Sequence, residues 1–91
     1  MAENRIALIG IIVEEQEGAV KINQVLHEFS KYIVGRMGVP YHERELSVIS
    51  VILDAPGEII NAVSGKLGMI PGVNTKTVYA KESRKDKEGK M

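Results

Sequence analysis

The 91-residue chain has no cysteine, which removes disulfides, thiolate metal sites and cysteine nucleophiles together. Histidine is almost as scarce, with His27 and His42 the whole supply. A protein metal site needs three or more converging ligands. No HxH, HxxxH or EF-hand spacing occurs, so neither a metal nor a cofactor is expected. No GxGxxG or P-loop run is present to cradle a phosphate. Ser30, Ser47, Ser50 and Ser64 stand in no recognisable arrangement with histidine and acid, which leaves nucleophilic catalysis nothing to rest on. Long apolar runs are missing too. The longest, Ile6 to Val13, is far short of the ~20 residues that span a bilayer, and no basic-then-apolar leader precedes it. A cytoplasmic chain without a membrane span is the expectation.

Charge of one sign is also lacking, since 12 basic and 12 acidic residues cancel. The cancellation is uneven. Lys81 to Lys90 holds five basic and three acidic residues, a local +2 that leaves −2 on the remainder. A mildly acidic body is a poor surface for phosphate backbones, which need clustered Lys and Arg. Apolar residues make up 44% of the chain, ordinary for a globular domain and too many for a disordered one. The composition predicts one domain over residues 1–81 and a disordered charged tail over 82–91.

What is there is a repeat. An acid-then-glycine turn occurs twice, each time between a strand-like and a helix-like run. Val13-Glu-Glu-Gln-Glu-Gly leads into Ile22-Asn-Gln-Val25, and Leu53-Asp-Ala-Pro-Gly-Glu leads into Ile60-Asn-Ala-Val63. Ile22 to Ile60, Asn23 to Asn61 and Val25 to Val63 share one offset of 38 residues. Arg5 to Val13 is almost wholly apolar on both alternating faces, interrupted only by Gly10, as in a strand buried on both sides. From Glu17 the period changes, and Ile22, Val25, Leu26, Phe29 and Ile33 form a helical stripe. Ile33 to Val39 reads as a short irregular strand, with Pro40 and His42 to Glu45 as a connection. Leu46 to Leu53, rich in β-branched residues, reads as a second central strand. Asp54 is the expected helix N-cap, with Pro56 in the first turn. Ile59, Ile60, Val63, Leu67 and Ile70 make the second stripe, Met69 to Val73 a stop, and Asn74 to Ala80 a final strand.

The order β-α-β-β-α-β predicts an α+β, ferredoxin-like sandwich: a four-stranded antiparallel sheet, strands one and three central, two helices on one face. The other face should then be polar in a monomer, and it is not. Strand one presents Ile6, Leu8 and Ile12 on one face and Ala7, Ile9, Ile11 and Val13 on the other. Strand three has Ile49, Val51 and Leu53 on one face and Leu46, Val48 and Ile52 on the other, relieved only by Ser50. At about 25 cal/mol per Å², leaving such a face in water costs several kcal/mol, comparable with a small domain's whole stability. A second copy of the chain is the simplest cover, which predicts a homodimer or tetramer through the sheet.

Two places could carry a ligand or chemistry. Glu14, Glu15 and Glu17 precede a helix, where negative charge complements the macrodipole and repels a phosphate. That helix has no Ser, Thr, Asp or Asn at its expected start, so its first amides are open to water or to a small polar ligand beside Gly18. The second place is the loop carrying His42, Glu43 and Arg44. Those residue types can do acid–base chemistry, so a small ferredoxin-like enzyme is the alternative to a binding module.

Gly18 to Leu26, with the closing Leu67-Gly-Met-Ile-Pro-Gly-Val73, resembles an ACT domain. Leu26 to Tyr41, containing Gly-Arg-Met-Gly, and Ser64 to Tyr79, containing Gly-Lys-Leu-Gly, resemble more specifically the family of proposed regulators of the iron-only hydrogenase system. The likeness covers about Ile6 to Lys81. It implies a small non-enzymatic regulatory protein that oligomerises through its sheets, with an effector at the glycine turn formed by Glu17, Gly18, Ala19 and Val20. The family is also compared with the regulatory domain of nickel-responsive repressors. That domain uses several histidines and a cysteine, which this chain lacks, and its ribbon-helix-helix segment for DNA has no counterpart in the four residues before strand one. Neither metal sensing nor direct DNA binding is implied.

Overall fold

Alternation of aliphatic side chains draws Asn4–Val13 into β1, which pairs with two other strands without a register shift. The computed structural model describes residues 3–14 and 16–81. The charged tail expected over 82–91 lies outside them. After β1 come α1 (Gln16–Glu28), a short 3-10 turn (Ser30–Tyr32), β2 (Ile33–Tyr41), a second such turn (His42–Arg44), β3 (Leu46–Pro56), α2 (Gly57–Gly68) and β4 (Val73–Tyr79). The strands form one antiparallel sheet in the order β2-β3-β1-β4, so the two most apolar runs are central. Both helices cover the same face. Ala7, Ile9, Ile11 and Val13 of β1 and Ile49, Val51, Leu53 and Ala55 of β3 pack there against Ile22 and Leu26 of α1 and Ile60, Val63 and Leu67 of α2.

The 38-residue offset has structural content. Ile22 and Ile60 fill equivalent core positions. The paired asparagines tie each helix to its edge strand: Arg36 of β2 donates to Asn23 Oδ1 (2.6 Å) and Tyr79 of β4 donates to Asn61 Oδ1 (3.2 Å). Lys66 and Glu28, also 38 apart, form a 3.0 Å ion pair between the helices. Half-exposed as it is, that pair contributes well under about 1 kcal/mol.

Three local expectations are corrected. Ile33 is not the last residue of a helical stripe. The Tyr32 amide bonds back to the Phe29 carbonyl (3.0 Å), the chain tightens into the 3-10 turn, and β-branched Ile33 opens β2. Pro40 belongs to β2 rather than to a loop, and sits opposite Ser47 on an edge strand, where a missing N–H is tolerated. Asp54 does not cap α2. The β1–β3 ladder runs on to Asn4 opposite Pro56, so Asp54 stays in strand opposite Ile6, and Pro56 takes the N-cap position without a side-chain hydrogen bond.

The face away from the helices is as apolar as the sequence predicts. Ile6, Leu8 and Ile12 of β1, Val48 and Ile52 of β3, Met37, Val39 and Tyr41 of β2 and Val78 of β4 are all exposed.

Candidate functional site

Register at one end of the sheet creates a concavity. Pro40 pairs with Ser47 and Ser47 with Val13, so three strands end in one cross-sheet row on the helix side. The start of α1 passes over that row at Gln16 and Ala19, and the 3-10 turn after β2 folds up beside it. The result is a half-open cleft of about 400 Å³ lined by Val13, Pro40, Leu46 and Ser47 below, Gln16 and Ala19 on the helix, and Glu14, His42 and Glu45 at the rim.

The tight turn is held by Glu45 in the left-handed region (φ 56°), with its amide bonded to the His42 carbonyl at 3.1 Å. On the other wall the Glu14 amide donates to the Gly72 carbonyl (3.1 Å), and Gly72 itself has φ 79°. Among the described residues, the rim carries two carboxylates and an imidazole and no lysine or arginine. Such a lining suits a neutral or cationic ligand with an apolar body better than a phosphate.

Sequence reasoning marked this region twice, through separate segments, and the fold brings the two together. Of the four turn residues, Ala19 lines the cleft, while Glu17 and Val20 are exposed and lie outside its lining. Gly18 is buried for a packing reason. A Cβ there would come within 2.7 Å of Val13 Cγ2 and 3.6 Å of the Pro71 carbonyl oxygen, so only glycine lets α1 approach the ends of β1 and β4 this closely. Val13 is buried and stiff at χ1, and its methyl cannot swing away freely. Gly18→Ala is therefore expected to destabilise the fold by about 1–3 kcal/mol, read from urea midpoints at constant m.

In the 42–45 loop, His42 and Glu45 line the cleft, whereas Glu43 and Arg44 do not. Pro40, Leu46 and Ser47 were invisible as site residues because only strand register assembles them. His27 is exposed on α1. Among the described residues, no three His, Asp or Glu side chains are grouped to hold a metal ion, and no helix is long and apolar enough to cross a membrane.

The element order and sheet order define the class: an α+β, ferredoxin-like domain. The chain belongs to the TM1266-like family of proposed iron-only hydrogenase system regulators, whose family model matches residues 5–77. Among solved structures it is similar to protein TM1266 from Thermotoga maritima, at 38% identity and TM-score 0.84, over 87% of this chain and 100% of that one. The C-terminal domain of the MgtC protein from Mycobacterium tuberculosis is similar at 10% identity and TM-score 0.68, covering 87% and 90%. The divalent ion tolerance protein CutA1 from Ehrlichia chaffeensis is similar at 19% identity and TM-score 0.52, covering 92% and 90%. At such identities the last two share the fold alone. Among curated proteins no match is found.

Proposed function

We propose that this chain is a non-enzymatic, cytoplasmic regulatory module of the iron-only hydrogenase system, acting as a homodimer or tetramer stacked through its open sheet face and taking a small effector in the cleft beside Ala19. Membership of a regulator family supports the regulatory part of this reading. One residue carries the link between effector and assembly. Leu46 lines the cleft, and it also stands opposite Tyr41 at the end of the apolar open face. A ligand seated on Leu46 and the His42–Arg44 turn would bias the position of a residue that also contacts a second copy. Such coupling is reciprocal: the ligand would tighten or loosen the assembly by the factor by which assembly changes ligand affinity.

A thermal-shift screen of amino acids, nucleotides and divalent metals tests the reading. A compound at 100 times its Kd would stabilise the chain by about 2.7 kcal/mol. That shift is expected to disappear in Ala19→Phe, which fills the cleft, and to survive in Val20→Ala, which lies outside it. No shift with any compound would leave a role in protein interaction only. The enzyme alternative rests on His42, Glu43 and Arg44 converging, and of these only His42 reaches the cleft.

A further inference from the structure

Two glycines lie on the open face: Gly35 adjoins the register shift of β2 at Ile33/Gly35, a common place for a strand glycine, whereas Gly10 has no reason to be glycine within a single copy. Gly10 sits mid-strand in β1 and Gly35 in β2. Neither has a positive φ, and a Cβ built on either meets no atom within 4 Å. Glycine inside a strand costs about 0.5–1 kcal/mol relative to Ala, and often marks the close approach of another chain. The face also has large projecting side chains, above all Met37, which is 63% exposed. Register fixes how these lie. One row across the sheet reads Met37, Ser50, Gly10, Lys76, and the next reads Gly35, Ile52, Leu8, Val78.

We infer that the occupant of this face is a second copy of the chain, stacked about a two-fold axis that runs along β3 above Ser50, so that Met37 of each copy seats over Gly10 of the other. This rests on the proposed assembly through the sheet and names its geometry. The reasoning is one of symmetry. A two-fold interface is self-complementary, so each knob must meet a hole on the same face. An axis along β3 lays β2 of one copy over β1 of its partner and preserves position along the strands. Met37 then falls on Gly10, and Leu8 falls on Gly35. Both open-face glycines, the unexplained Gly10 and Gly35 beside its register shift, receive a large side chain from one operation.

The same operation carries β4 beyond the partner's β2 edge, leaving Lys76 hydrated at the rim. It also sets Asp54, exposed opposite Ile6 at the far end of β3, toward its own counterpart four residues from the crossing point, where the sheets splay and water reaches both carboxylates. An axis midway between β1 and β3 would instead lay Lys76 on Met37 and bury its charge. Aligned sheets cross at about −30°, so the central row holds the match while the outer rows drift. Three overlapping strands, spaced about 4.8 Å apart and about 30 Å long, cover roughly 430 Å² per copy in projection. Side-chain relief raises this toward the lower end of stable interfaces, consistent with a micromolar dimer.

Sedimentation velocity over a concentration series on the full chain is the test. Gly10→Val fills the seat and is expected to weaken dimerisation about tenfold or more, while the thermal melt of the monomer holds or rises. Adding Met37→Gly is expected to recover much of that loss. Lys76→Glu should change the dimer constant by less than about twofold. If the unsubstituted chain sediments as a monomer throughout, assembly through the sheet fails altogether. If it dimerises and Gly10→Val dimerises equally well, or Lys76→Glu disrupts it tenfold, only this seating is overturned. A readout independent of Gly10→Val folding comes from cysteines introduced into this cysteine-free chain. A short bis-maleimide should cross-link Ser50→Cys into dimers and leave Lys76→Cys single. The reverse pattern contradicts the axis.

Discussion

Ile52→Asp is expected to give a folded chain, and Val51→Asp, one residue earlier, an unfolded one. The two side chains leave β3 on opposite faces: Val51 is 0% exposed under the helices, and Ile52 is 40% exposed on the open face. A carboxylate at 51 would enter an aliphatic core with no buried polar partner among the described residues, and the cation opposite it, Arg36 of edge strand β2, is exposed and donates to Asn23 Oδ1. Leaving an uncompensated charge there costs about 3–5 kcal/mol, against the ~5–15 kcal/mol that holds a domain together. A chain of 91 residues stands near the low end of that range. At 52 the carboxylate stays hydrated in a single copy. Its cost falls on assembly: unlike Asp54 at the end of the strand, position 52 lies beside the crossing point of the two sheets, where two desolvated acids would face each other and weaken association about 100-fold or more. Far-UV circular dichroism and a thermal melt of each variant check the first half of the statement. Equal melting of the two variants would mean that the sheet does not have one covered and one open face.

Ile22→Ala and Ile60→Ala should be matched in cost. Each is fully buried, each faces the sheet core from its helix, and 38 residues separate them. Deleting three methyl or methylene groups from a closed aliphatic core typically costs about 2–5 kcal/mol, the spread reflecting how far the site collapses. In a domain of this size 1 kcal/mol moves Tm by about 4–8 °C, so either variant should melt at least about 10 °C lower. If one were near-neutral, the internal repeat would have no energetic meaning.

That repeat shows what could be read from residues alone. Spacing placed Ile22 and Ile60 in the core because a helical period and burial are the same fact seen twice. Strand alternation likewise separated Val51 from Ile52 and gave the central strands, since a period of two admits only one assignment once the helices cover a single face. Local signals failed where long-range pairing overrode them. Asp54 looks like a cap next to a proline and a glycine, yet the β1–β3 ladder holds it in strand up to Asn4 opposite Pro56. Ile33 fits the helical stripe, but the Phe29–Tyr32 hydrogen bond ends the helix before it.

The cleft was half legible. Gly18 and the His42 loop each stood out as chemistry-bearing segments. That they share a wall depends on Pro40, Ser47 and Val13 falling in one row, and register of that kind is set by the whole sheet. The role of Gly18 was also altered by its surroundings. The sequence suggested a ligand-facing turn, whereas its missing side chain makes room for Val13, and the neighbouring Ala19 faces the cleft. Gly10 went the other way. It read as a simple interruption of an apolar strand, and only the empty space above it gives it meaning.

The central claim is that the exposed apolar face is an interface between copies. Sedimentation velocity of the unsubstituted chain beside Ile52→Asp, from below one to about 100 micromolar, tests it most directly. The former is expected to form a concentration-dependent dimer or tetramer and the latter to remain a folded monomer. A monomeric unsubstituted chain across that range, or an Ile52→Asp variant that associates as well as its parent, would contradict it.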